Sequence, residues 1–128
     1  MPSFKDLEDN KDFITLDAKR TAVLLELKGL KSNLENLPHE KPSIRSYERC
    51  DSKIAKELDK LESASTAVAE FFSVSGVDSL DDEEFLNYMN VATTLTGEVE
   101  ILRDGYYELL KAHGHFAPLL LLLHLRRQ

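Results

Sequence analysis

Five bases, Arg45, Arg49, Lys53, Lys56 and Lys60, recur every three or four residues, with Lys41 as a marginal sixth ahead of them. At 100° per residue on a helix they fall within about 120° of arc, nearly opposite an Ile54/Leu58/Leu61 apolar seam. The spacing therefore predicts an exposed basic ridge, about 22 Å long from Arg45 to Lys60 at 1.5 Å rise per residue. Such a ridge suits several phosphates of a nucleic-acid strand or the acidic face of another helix. It is also what a solvated face looks like when Glu48, Asp59 and Glu62 neutralise its edge. RNA grooves normally add aromatic side chains on which bases stack, whereas Tyr47 falls on the apolar seam. The expected use is thus a protein partner or self-association, with nucleic acid a weak alternative. Glu83, Glu84, Glu98, Glu100 and Asp104 supply the opposite sign and are the candidate counterpart, guiding packing within the chain or contacts between copies.

Other residues with chemical potential lack a working pattern. His113, His115 and His124, near Glu108, suggest metal ligands. However, His113 and His115 diverge by about 200° on a continuing helix, and neither a Cys cluster nor an HExxH motif supports them. His113 reads instead as the wet end of a helix seam. Asp78, Asp81, Asp82 and Glu84 lack the order of a calcium loop and read as acids at a helix N-terminus. There is no Gly-rich phosphate loop, and no Ser or Cys sits in a nucleophile motif with a placed His and acid. Cys50 follows Arg49, which favours a thiolate modestly, but its place near a helix centre reads as an inert small residue. No catalytic residue, cofactor or metal is assigned, and the chain is expected not to be an enzyme.

The elements that must carry these residues follow from composition and period. A chain of 128 residues that is 42% apolar and 30% charged is too apolar for wholesale disorder, and 5 Gly with 4 Pro are too few for a many-stranded sandwich or barrel. One helical domain is the expectation. The net charge of −7 argues against coating duplex DNA with the whole surface, and it is unevenly placed. Residues 1–64 carry 12 bases against 13 acids, while residues 65–112 carry 2 against 10. A single cysteine and a charged start after Met1, rather than an apolar signal core, point to an intracellular, cytoplasmic protein.

Residues 1–14 read as a flexible, loosely attached arm, although Ser3 and Asp6 have capping-box-like spacing. Three helices follow, over about 15–37, 43–72 and 79–113. The first starts near Thr15 or Asp17 and carries Leu16, Val23, Leu27, Leu30, Leu34 and Leu37, interrupted by Arg20. Gly29 lies inside it and invites close approach by a partner helix. Pro38 and Pro42 break the chain. The second seam runs through Tyr47, Ile54, Leu58, Leu61, Val68 and Phe72, with Asp51 and Ser65 as polar exceptions. Ser79 is the candidate cap of the third, whose seam runs from Phe85 and Tyr88 to Tyr106, Leu109 and His113, with Gly114 as its C-terminal cap. Similar seams and short links specify an all-α fold: an elongated antiparallel three-helix bundle, or a long helical hairpin with coiled-coil-like seams and a further helix against it. The tail over 115–128 holds an apolar run from Leu119 to Leu125, roughly half the ~20 residues of a complete membrane span. It reads as the cut end of a larger unit, a buried terminal turn, or a membrane-surface or truncated anchor.

The stretch from Ala18-Lys19-Arg20 through Leu27-Lys28-Gly29-Leu30-Lys31-Ser32-Asn33-Leu34, the heptad-patterned second helix, and Asp81-Asp82-Glu83-Glu84-Phe85 opening the third together resemble one family. They are similar to the helical amino-terminal, Gag-like region of BEL/Pao-type retrotransposon polyproteins, over roughly residues 16–113. Apart from Lys28-Gly29, the match is helical periodicity. The resemblance implies a structural segment of a self-assembling, nucleic-acid-associated polyprotein or a host-genome relic of one. The family's zinc knuckles, protease and polymerase have no counterpart in these residues, so it carries over no catalytic residue.

Overall fold

The computed structural model describes residues 2–77 and 82–115. Among these residues the chain is all-helical: α1 (Phe4–Leu7), α2 (Lys11–Glu35), α3 (Ile44–Val74) and α4 (Glu83–Ala112) pack together. The longest, α3, has 31 residues, a rod of about 46 Å at 1.5 Å per residue.

Side-chain caps set where the helices begin. Asn10 Oδ1 accepts from the backbone N–H groups of Asp12 and Phe13, which starts α2 at Lys11, ahead of the expected Thr15 or Asp17. Ser43 Oγ accepts from Ser46 N at the start of α3. Asp82 caps α4, accepting from Phe85 N through Oδ1 at 3.1 Å. Its Oδ2 accepts from Phe4 N at 2.6 Å, so one carboxylate both starts α4 and ties down α1. The expected cap Ser79 lies outside the described residues. Gly76 (φ 83) ends α3, and Gly114 (φ 78) ends α4. At each end, two backbone N–H groups fold back onto the last turn: Gly76 to Ser73 O with Val77 to Phe72 O, and Gly114 to Lys111 O with His115 to Leu110 O. This is the left-handed closure that glycine permits at little steric cost.

Neighbours run in defined directions. Cys50 Sγ, early in α3, meets Leu30 O, late in α2, at 3.6 Å. Phe72, late in α3, packs on Phe13, early in α2, with ring centroids 5.1 Å apart, so the two helices are antiparallel. Phe85 lies 5.0 Å from Phe72 and Arg103 reaches Asp51, which sets α4 antiparallel to α3. The core has two parts. The larger joins α2, α3 and α4 around Leu27, Ile54, Val99 and Leu110, all 0% exposed. The smaller gathers Phe4, Phe13, Val68, Phe72, Val77 and Phe85 at one end.

That second cluster corrects the reading of residues 1–14 as a loose arm. Phe4 and Phe13 are 8% and 4% exposed, and Phe4 touches the rings of Phe13, Phe72, Phe85 and Tyr88. The segment's charged residues face water, while the two phenylalanines, with Leu7 packed against them, join the cluster between α2, α3 and α4. Gly29 also differs from expectation: it is exposed, and a Cβ built there meets nothing within 4 Å. Among the described residues it makes no close helix approach, which leaves only the backbone entropy cost of glycine in a helix.

Two stability changes of opposite sign follow, both read from urea-unfolding midpoints. Gly29→Ala should stabilise by about 0.5–1 kcal/mol, and Asp82→Ala should destabilise by about 1–2 kcal/mol.

Candidate interaction surfaces

The polar group that positions the helices is Arg20. At 2% exposure it is the one buried charged residue among those described. Its guanidinium lies over the Tyr88 ring, 3.9 Å from the centroid, and Nη2 donates to the Tyr88 carbonyl oxygen. Tyr88 Oη in turn donates to Asp17 at 2.6 Å, and Arg20 Nε is buried with no hydrogen-bond partner among the described residues. Burial, reinforced by the bond to Asp17, pushes the Tyr88 phenol well above its usual range. Eleven residues along α2, Lys31 pairs with Glu98 of α4, and that bond holds the ammonium above its ordinary value.

At the other end, Tyr47 stacks on Tyr106 with centroids 5.5 Å apart. Tyr106 Oη accepts from Ser43 N at 3.0 Å and donates to Pro38 O at 2.8 Å, fastening the Pro38–Pro42 breaker to α4. Arg103 Nε donates to Asp51 Oδ1 at 2.6 Å, so the polar exception in the second seam has a partner on α4. Cys50 is buried, and that burial, with Asp51 beside it, raises its thiol against the opposing pull of Lys53.

Arg45, Arg49, Lys53, Lys56 and Lys60 are all exposed on α3. Lys60 pairs with Glu57 on its own helix at 3.0 Å, and the other four enter no ion pair among the described residues. None of the five reaches an acid of α4. The acids taken together from sequence are divided by the fold. Glu83 and Glu84 sit exposed in the first turn of α4. Glu98 turns toward α2, where it meets Lys31. Glu100 and Asp104 border the furrow between α3 and α4, where they join Asp51, a residue not assigned to any surface from sequence. Glu62 and Asp59, read as edge neutralisers of the ridge, line the continuation of that furrow. Their place is set by which sides of two helices meet, and no single-helix period carries that.

A separate open groove of about 660 Å³ lies between α2 and α3, with Ala22, Val23, Ala64 and Ala67 in its wall and Lys19, Asp59 and Lys60 at its rim. Among the described residues no three His, Cys, Asp or Glu side chains group as a metal site, and no helix is long and apolar enough to cross a membrane. His113 and His115 are exposed. His124, Asp78, Asp81 and the Leu119–Leu125 run lie outside the described residues. No protein-family model matches the chain, and no similar curated protein or solved structure was found.

The Tyr88 phenol has a stated pH consequence. With its pKa raised in the folded state from the ordinary 10.0, its contribution is complete below that pH and is lost as pH rises past it, because the unfolded chain ionises first. Tyr88→Phe should cost about 1–2 kcal/mol at neutral pH through the lost hydrogen bond. In urea titrations from neutral to strongly alkaline pH, the variant should also lose less stability above pH 10 than wild type does.

Proposed function

We propose that this chain is a non-catalytic helical interaction module, an elongated antiparallel bundle whose work is done by its charged sides. The observation that carries this is the α3 ridge, where four exposed bases along three turns have no ion-pair partner among the described residues. Bases left unpaired beside an excess of acid are free to select an acidic partner surface. Long-range attraction then speeds encounter and sets register more than it adds affinity. The partner is a protein rather than a nucleic acid, since Tyr47 is buried under Tyr106 and no aromatic side chain accompanies the bases. An intracellular setting suits a lone buried cysteine.

Affinity capture from extracts of the source cells tests this reading, using wild type and Arg45→Glu/Arg49→Glu/Lys53→Glu at matched ionic strength. The variant should keep its circular dichroism and thermal midpoint and lose a defined set of proteins at least ~10-fold, about 1.4 kcal/mol. Identical captured sets would remove the ridge as a docking face. Salt-dependent gel shifts of single-stranded RNA, lost in the variant, would instead favour the retrotransposon-type structural segment that the sequence resembles.

A further inference from the structure

The furrow between α3 and α4 is a second surface with the opposite character. Two adjoining cavities of about 520 and 500 Å³ form it, and Glu100 borders both. Leu58, Leu61 and Ala92 contribute apolar wall, while Asp59, Glu62, Glu100 and Asp104 contribute carboxylates with no ion-pair partner among the described residues. Its one base, Arg103, is already engaged by Asp51. Ser65 Oγ, on the same wall, is buried without a hydrogen-bond partner among the described residues. Along α3 the furrow extends from Tyr47 to Ser65, about 27 Å at the helical rise.

The occupant this calls for is a convex, basic rod that fits within that length and whose side chains have apolar stems. The α3 ridge is such a rod, about 22 Å from Arg45 to Lys60. We propose that the ridge of a second copy of this chain seats in the α3/α4 furrow, the Lys and Arg stems covering the apolar wall while their heads reach the carboxylates. This rests on the interaction reading above and names its partner. Ridge and furrow lie roughly 150° apart around α3 at 100° per residue, so no copy fills its own furrow. Each copy offers a ridge to one neighbour and a furrow to another. The contact is therefore heterologous, and repetition gives a ring or a filament. Exposed charge pairs are screened by salt, so assembly strengthens as ionic strength falls.

Two neutralised full-length variants test this by sedimentation velocity at low and high ionic strength. The ridge variant is Arg45→Ala/Arg49→Ala/Lys53→Ala, and the furrow variant is Glu62→Gln/Glu100→Gln/Asp104→Asn. All six positions are exposed, and circular dichroism checks that each variant folds. Wild type should form concentration-dependent oligomers at low salt and dissociate at high salt, with association weakened at least ~10-fold in each variant alone. Mixing the variants should give one-to-one dimers and nothing larger, because a single intact ridge and a single intact furrow remain. The proposal is overturned if wild type stays monomeric at low salt, if either variant assembles like wild type, or if the mixture stays monomeric. A purified chain that remains monomeric yet loses captured proteins on ridge reversal would end the self-pairing and leave the interaction reading standing. A monomer whose ridge shifts RNA would end both.

Discussion

A guanidinium held at 2% exposure is the constraint on which the arrangement of α4 depends. Taking an ionised group out of water is costly unless attraction and hydrogen bonds offset it. Arg20 is offset by two contacts that both belong to Tyr88, the ring beneath it and the carbonyl oxygen beside it. Sliding α4 by one turn along α2 would remove both at once and leave the charge buried and unpaired. The Lys31–Glu98 pair is eleven residues further along α2 and ten further along α4, so the two ties agree on one register. With α4 fixed on α2, the sides of α3 and α4 that face each other are fixed as well, and so is the row of carboxylates between them.

The charge arrangement follows from that placement. α3 carries bases on one side and Asp51, Asp59 and Glu62 on another, while α4 adds Glu100 and Asp104 to the acidic side. The bases and these carboxylates therefore form two surfaces of opposite sign on one helical body. The ends are closed by aromatic residues, phenylalanines at one and the Tyr47–Tyr106 stack at the other. The charged sides thus lie between two fastened ends, which suits lateral contact along the helices.

Much of this was legible in the residues. The period of α3 placed Ile54, Leu61, Val68 and Phe72 inside and the five bases outside, because exposure on one helix follows from spacing alone. The Gly114 closure is legible for a similar local reason, and Gly76 carries the same signal. Two features were not legible. Arg20 read as a flaw in a leucine seam, since its partner is 68 residues away on a helix whose register no local pattern reveals. Phe4 and Phe13 lie in a stretch that reads as a loose charged arm, yet two aromatics beside a capping Ser3 and a capping Asn10 are a usable sign of a packed turn. The furrow is hidden in the sequence because Asp59 and Glu62 read as the edge of the ridge, Glu100 and Asp104 as an α4 face and Asp51 as an exception in a seam, and only the packing of the two helices joins them.

Carbodiimide cross-linking of an equal mixture of ¹⁴N- and ¹⁵N-labelled protein at low ionic strength tests the opposed-surface account most directly. The chemistry joins an amine to a carboxylate only in contact, and isotopic pairing tells links between copies from links within one. The account predicts mixed-isotope links from Lys53, Lys56 and Lys60 to Glu62, Glu100 and Asp104, fading as salt is added. Ridge lysines that link only within their own chain, as Lys60 would to Glu57, would contradict it.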